Sequence, residues 1–186
     1  VYKGSLRLGS QEEEEEKEEE KELKEEDYTK VAIKTVDLST VEYEETVARS
    51  EREIRVLFML RNHPHILQIH KAFKFKDTLI ACCEWLDGGS LLQFSKDLDD
   101  NSDNGHRNKE MPMRIVLAVV RQALRGLNTL HQINMTHRDI KPANIMLSST
   151  SGVKLIDFGM TTAPCRHWIK HQHPCGTMAF MAPEMM

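Results

Sequence analysis

Residues 136–159 read T-H-R-D-I-K-P-A-N-I-M-L-S-S-T-S-G-V-K-L-I-D-F-G, and this stretch decides how the rest of the chain is interpreted. Asp139 is followed five positions later by Asn144 and eighteen positions later by Asp157, each beside a short apolar, strand-like run. A carboxylate can orient a hydroxyl group and take its proton, and Mg²⁺ prefers hard oxygen ligands. The spacing therefore predicts one site, where Asp139 acts on a hydroxyl group while Asn144 and Asp157 hold a phosphate-bound metal.

A lysine and a glutamate form a second pattern, upstream of the first. Residues 31–34 read V-A-I-K, an alternating run typical of a β-strand. Glu53 follows Lys34 by nineteen residues, inside a helical pattern from about Glu44 to Leu60. Only the spacing from Lys34 singles out Glu53, because its charged neighbours would otherwise mark it as a solvated side chain. The apolar side of this helix is expected to contain Val47, Ile54, Leu57, Phe58 and Leu60.

A third pattern completes the set: residues 176–184 read G-T-M-A-F-M-A-P-E. The order and separations of the three patterns resemble those of the eukaryotic protein kinases. Lys141, two residues after Asp139, and the pair Gly176-Thr177 resemble the serine/threonine type. The resemblance implies an α+β, protein-kinase-like bilobal fold, with a small β-rich N-lobe and a partial helical C-lobe.

The resemblance also implies how residues 1–186, as a partial kinase domain, are divided. Residues 1–83 would form the N-lobe, 84–91 the hinge and 92–186 a partial C-lobe. Two polar stretches, at about 11–27 and about 96–110, are expected to be solvated insertions, because they contain too few apolar residues for a core.

The reaction implied by the resemblance is transfer of the γ-phosphoryl group of ATP, with Mg²⁺ bound, to a protein hydroxyl group. Lys34 would form an ion pair with Glu53 and point its ammonium group at the phosphates. Asp139 would be the catalytic base, and Lys141 would contact the transferred phosphate. Asn144 and Asp157 keep the metal-binding role given above.

The same resemblance implies a nucleotide pocket. Val1, Ala32 and Met146 would sandwich the adenine, since an apolar slot with a few hydrogen bonds suits a flat base. The backbone of Glu84 and Leu86 would supply those hydrogen bonds. Cys83, next to this hinge, would close the back of the pocket.

Further side chains take structural roles in such a fold. Phe158 would form an apolar column between the lobes with Leu57, Ile69 and His137. Arg138 would be placed to pair with a phosphorylated residue. A second core helix is predicted from Pro112 to His131, and strands are predicted at Ile66–Ile69 and Leu79–Cys83. The core side of the second helix is expected to contain Val116, Val120, Ala123, Leu127 and Leu130.

The cysteines indicate an intracellular, cytoplasmic protein with reduced thiols, because adjacent Cys82 and Cys83 would point to opposite faces of a strand. Soft ligands at short spacing between Cys165 and Cys175 could instead bind zinc. That alternative is disfavoured, since the spacings differ from those of common zinc sites. Its candidate ligands are Cys165, His167, His171, His173 and Cys175.

Charge is distributed unevenly along the chain. The net charge is −4, but residues 11–30 alone carry −8, from eleven Glu and one Asp against four Lys, so the remainder carries +4. The acidic stretch could dock a basic regulatory partner, although a tolerated loop expansion is the favoured explanation. The expected partners are otherwise ATP and a protein substrate, with neither nucleic acid nor membrane.

Two alternatives to an active kinase remain open at this stage. The glycine-rich phosphate loop of the family would precede Val1, and most of the helical lobe would follow Met186. A nucleotide-binding pseudokinase or scaffold is therefore one alternative, and an inactive truncated fragment is another.

Overall fold

The computed structural model describes five segments of the chain, residues 2–7, 28–39, 44–100, 111–163 and 176–183. In the first half, four antiparallel strands form one sheet in the order β1-β2-β4-β3. This order puts β2 and β4 side by side, so Ala32 lies opposite Cys83 and Lys34 opposite Ala81. The strands are β1 Tyr2–Arg7, β2 Tyr28–Asp37, β3 Ile69–Phe75 and β4 Thr78–Glu84.

Helix α1, Glu44–Met59, connects β2 to the second half of the sheet and buries one side. That side contains Glu53 as well as apolar residues, so the glutamate is not solvated as its neighbours are. Phe58 was predicted on the apolar side and is 37% exposed, which is a correction. Val56, two positions earlier, is 1% exposed, because two residues rotate a helical side chain by about 200°, toward the opposite side of the helix.

The described residues of the second half of the chain form two α-helices and a β-hairpin, joined by irregular segments. These are α2, Leu91–Asp100, α3, Met113–Gln132, and a hairpin of β5, Ile145–Ser148, with β6, Gly152–Leu155. Helix α2 continues to Asp100 and so extends into the polar stretch predicted at about 96–110, where Lys96 and Asp97 are exposed. Residues 101–110 lie outside the described segments.

Helix α3 begins and ends within one residue of its predicted bounds, and Ala123 and Leu130 are buried as expected. Val119 is buried and Val120 is 48% exposed, so the expected core position of Val120 is wrong. Helix α3 packs on β6, and Val119 rather than Val120 is the buried residue of the two. The buried residues of the helix are Val119, Ala123, Gly126 and Leu130.

The connection between α1 and β3 joins the two halves. Ile66 forms a parallel bridge with Leu155, and the Leu67 and Leu155 amides donate to Leu155 and His65 carbonyls at 3.0 Å each. The strand predicted at Ile66–Ile69 is therefore corrected, because Ile66 pairs with β6 and β3 begins at Ile69. The α+β, two-lobed architecture itself is confirmed.

The main core lies across this junction. Leu57 of α1, Ile69 of β3, Leu155 and Phe158 belong to one buried cluster, and each is at most 2% exposed. Within the described segments, no helix is both long and apolar enough to cross a membrane.

Replacing Gly126 with Ala should destabilise the protein. An added Cβ would lie 2.9 Å from both the His65 carbonyl oxygen and Leu155 Cδ1. We expect a loss of about 1–3 kcal/mol in the free energy of unfolding, measured by urea titration. Helix propensity alone would give a gain of about 1 kcal/mol.

Asn128→Ala is the matched control, because Asn128 is an exposed position on the same helix. It should leave stability within about 0.5 kcal/mol of the wild type. If Gly126→Ala stabilised the protein as propensity predicts, the close approach of α3 to β6 would be refuted.

Candidate active site

A cavity of about 460 Å³ lies between the sheet and the β5–β6 hairpin, and it brings together most of the residues singled out in the sequence. Its lining is largely apolar at one end and polar at the other. Val1, the remaining predicted nucleotide contact, lies outside the described segments. The predicted residues that line the cavity are Ala32, Lys34, Glu53, Glu84, Leu86, Asn144, Met146 and Asp157.

A second, more polar cavity of about 600 Å³ shares this end of the first. Asp139 and Lys141 line it together with Lys34, Glu53 and Asp157. The catalytic and metal-binding candidates therefore border connected space rather than separate surfaces.

The apolar end is shaped by neighbouring strands of the sheet. Ala32 and Cys83 are cross-strand partners on β2 and β4, and Met146 of β5 also lines the cavity. Burial, reinforced by the nearby carboxylate of Glu53, raises the pKa of the Cys83 thiol to about 12. Cys83 is therefore a small, neutral wall residue and not a nucleophile.

Lys34 and Glu53 form an ion pair through Lys34 Nζ and Glu53 Oε2. Burial raises the pKa of Glu53, and the nearby lysine charge offsets only part of that effect. The Glu53 side chain is 9% exposed and the Lys34 side chain is 41% exposed. The lysine thus remains accessible to a ligand in the cleft while the glutamate fixes its direction.

Four donors surround the carboxylate of Asp139. Lys141 Nζ lies 2.7 Å and Asn144 Nδ2 2.9 Å from Oδ2. The backbone N–H and the hydroxyl of Thr177 donate to Oδ1 at 3.1 and 2.9 Å. These contacts hold the carboxylate ionised and in one orientation.

Thr177 was singled out only in the pair Gly176-Thr177, and its bridging position between Lys141 and Asp139 is a finding of the structure. Its hydroxyl accepts a hydrogen bond from Lys141 Nζ at 2.8 Å while donating to Asp139. The close approach requires glycine before it, since a Cβ on Gly176 would lie 2.6 Å from the Arg138 carbonyl oxygen. The Gly176-Thr177 pair was visible in the sequence. Its contact with Asp139 was not predictable, because the two residues are 38 positions apart.

Asn144 and Asp157 present oxygen atoms that suit Mg²⁺. The Asn144 amide nitrogen donates to both the backbone oxygen and Oδ2 of Asp139, so its side-chain oxygen is the atom left for a cation. Asp157 lines both cavities and has a left-handed backbone, with φ of 63°. A hard amide oxygen and a carboxylate match the ligand preference of this ion.

His137 has a structural role in this arrangement. Its Nδ1 accepts the Asp139 backbone N–H at 3.3 Å, so Nε2 is the protonated nitrogen and donates to the Ile156 carbonyl at 3.1 Å. Burial lowers the pKa of His137, although the Ile156 carbonyl and nearby carboxylates oppose the shift. The neutral ring packs against Phe158 with centroids 4.9 Å apart.

Arg138 lies beside a second arginine. Burial, with a smaller effect of Arg52, lowers the pKa of Arg138. Among the described residues, Arg138 Nε is buried without a hydrogen-bond partner. Thr161 is 1% exposed, so its hydroxyl group is not accessible for phosphorylation in this conformation.

Other predictions fall on residues that the structure does not describe. They are the polar stretch at about 11–27 and the disfavoured zinc ligands between Cys165 and Cys175. Among the residues that are described, no three His, Cys, Asp or Glu side chains cluster as a metal site.

Comparison with known proteins agrees with this geometry. A sequence model described as the protein kinase domain matches residues 20–186. An Aurora kinase of Encephalitozoon cuniculi (strain GB-M1) is 31% identical over 156 residues, covering 84% of this chain and 53% of the relative. The CBL-interacting serine/threonine-protein kinase 7 of Arabidopsis thaliana is 32% identical over 158 residues, covering 84% of this chain and 34% of the relative.

A third relative, the serine/threonine-protein kinase PLK4 of Drosophila grimshawi, is 30% identical over 156 residues, which are 84% of this chain and 19% of that protein. The chain thus spans about half or less of the length of these relatives. The family model, by contrast, covers most of the chain. The chain therefore belongs to the protein kinase domain family.

Proposed function

We propose that the protein containing this chain is an ATP-dependent protein serine/threonine kinase. One observation carries the proposal: the fixed carboxylate of Asp139 borders the same polar cavity as the Lys34–Glu53 ion pair and Asp157. A hydroxyl-orienting group, a phosphate-binding cation and a metal ligand are the groups that phosphoryl transfer requires.

Adenine would occupy the apolar end of the cleft. Ala32 and Met146 would contact its faces, and Val1 would complete the slot. The Glu84 N–H already donates to the Gln68 carbonyl at 2.9 Å. The adenine would therefore have to use the Glu84 carbonyl, together with the backbone N–H of Leu86.

The phosphates would lie at the polar end, where Lys34 supplies positive charge. Mg²⁺, which protein kinases generally use with ATP, would neutralise charge on the phosphate oxygens and would be held by Asn144 and Asp157. Lys141 would contact the transferred phosphoryl group. Most of the rate enhancement would then come from positioning and from charge stabilisation.

Asp139 would orient the substrate hydroxyl. Burial acts to raise the pKa of Asp139, but hydrogen bonds from Lys141, Thr177 and Asn144 outweigh it and lower the pKa below 3.8. Because so weakly basic a carboxylate cannot deprotonate a free hydroxyl group, Asp139 would take the substrate proton only after bond formation to phosphorus has begun. The substrate oxygen forms its bond to the γ-phosphorus while the bond to the β-phosphate oxygen breaks, ADP leaves, and the acidified hydroxyl proton passes to Asp139.

The preference for serine or threonine substrates is proposed from the hydrogen bonds that link Lys141, Thr177 and Asp139. Relatives whose names include serine/threonine kinase support the same assignment. The lobe boundaries, the cytoplasmic location and a regulatory partner of the acidic segment stay predictions.

Asp139→Asn tests the catalytic assignment. The amide preserves size but cannot accept a proton, so we expect phosphate transfer to fall by roughly 10²-fold or more. The measurement is incorporation of radiolabelled γ-phosphate into a generic serine/threonine protein substrate by the complete protein. Asp77→Asn, an exposed acid in the β3–β4 turn, is the matched control and should keep full activity.

Equal incorporation by wild type and Asp139→Asn would remove Asp139 from this role. Nucleotide binding by the wild type without any transfer would favour the pseudokinase alternative. Failure to bind nucleotide at all would refute the proposed function.

The lowered pKa of Asp139 predicts a pH dependence of stability. Its ionised form is favoured in the folded state, so its contribution is fully present above the ordinary value of 3.8 and is lost as pH falls through the folded pKa. The difference in unfolding free energy between wild type and Asp139→Asn should therefore be constant at pH values well above 3.8 and should shrink as pH falls below 3.8 toward the folded pKa. Urea titrations at several pH values measure it, and a constant difference would contradict the assignment.

A further inference from the structure

A buried lysine on β6 has no part in the proposed chemistry. Lys154 is 4% exposed, and its Nζ lies 2.6 Å from Oε1 of Glu84. The same ammonium lies 3.4 Å from the Ile66 carbonyl oxygen. Its charge therefore ends at the junction of the hinge with the connection between α1 and β3.

Glu84 is held at this junction through both its side chain and its backbone. Its Oε1 accepts the Gln68 N–H at 2.7 Å, and its own N–H donates to the Gln68 carbonyl at 2.9 Å. Lys154 adds the charge that compensates the carboxylate. Glu84 is thus held by three contacts, one through its backbone N–H and two through its carboxylate.

Burying such a pair does not by itself stabilise a protein. The desolvation penalty of two ions in a core often equals or exceeds their attraction, and well-packed apolar residues can do as well. Removing only one partner, however, leaves an uncompensated buried charge and is strongly destabilising. An ion pair here is better explained by the geometry it imposes than by stability.

The geometry it imposes concerns three parts of the cleft. Glu84 provides the adenine-binding edge, and Met146, the adenine-facing residue, is the cross-strand partner of Lys154. Asp157 follows Lys154 by three residues on the same segment. One side chain thereby connects the hinge to the hairpin that forms the opposite wall of the pocket.

We propose that Lys154 is a positioning residue for nucleotide binding: by pairing with Glu84 it holds the hinge backbone in the orientation that adenine requires. The inference rests on the proposed function only in requiring that the cleft bind an adenine nucleotide. It assigns no chemical step to Lys154.

Lys154→Met in the complete protein is the test, with ADP as the probe and calorimetry as the measurement. We expect Kd for ADP to rise by about tenfold or more, because unpaired Glu84 reorients. The double variant Lys154→Met/Glu84→Gln removes both charges, while the glutamine oxygen can still accept the Gln68 N–H. It should bind ADP within about threefold of the wild type.

Lys74→Met, on the exposed edge strand β3, is the matched control and should not change Kd. In transfer assays the Lys154→Met variant should raise KM for ATP with little change in kcat, a split that a general loss of folded protein would not produce. If Lys154→Met does not fold, the single variant Glu84→Gln is compared with the double variant instead. It should bind ADP more weakly than the double variant.

Wild-type affinity in Lys154→Met, or no recovery in the double variant, would overturn the inference and leave the proposed function standing. Absence of ADP binding by the wild type would overturn both.

Discussion

The ion pair between Lys34 and Glu53 is the interaction on which the arrangement of the cleft depends. It joins the middle of the sheet to the buried side of α1. A buried carboxylate without this partner would carry a large desolvation penalty, so the pair fixes the rotation of the helix. The same rotation places Leu57, one turn further along, in the core that contains Phe158. This one contact therefore fixes the relative positions of the Lys34 ammonium group, helix α1 and the segment that carries Asp157.

The second constraint is backbone conformation at the opposite wall. Arg138 and Asp157 have φ of 69° and 63°, a left-handed conformation that costs non-glycine residues roughly 1–2 kcal/mol each. Neighbouring hydrogen bonds hold both: the Asp139 N–H donates to His137, and the Ile156 N–H donates to the Asn144 carbonyl at 3.1 Å. Strain of this kind persists where surrounding contacts determine the backbone, and it is expected where side chains must take fixed positions.

The fold class and the grouping of Lys34, Asp139, Asn144 and Asp157 could be predicted because ordered motifs encode them locally. Burial was predicted less well. Val120 was placed in the core from periodicity alone, but α3 packs on β6 with its neighbour Val119 inward. Adjacent apolar residues on a helix offer two similar stripes, and only the partner surface selects one.

Contacts between distant residues account for the other gaps. The bridge from Thr177 to Asp139 and the pair of Lys154 with Glu84 join segments that no local pattern relates. A lysine inside the apolar run of β6 was nevertheless a signal, because a buried charge needs a partner. The end of α2 could not be predicted either, because the residues after Lys96 are mostly polar and most apolar residues of the helix come before it.

The most direct test of the shared cleft is to find which lysines lie at the phosphates of bound ATP. An acyl-phosphate derivative of ATP transfers its acyl group to nearby amines, and mass spectrometry identifies the labelled residues. Labelling should concentrate on Lys34 and Lys141 and should be suppressed by excess ATP with Mg²⁺. Labelling spread over exposed Lys71, Lys74 and Lys76, with no protection by ATP, would contradict a common nucleotide site.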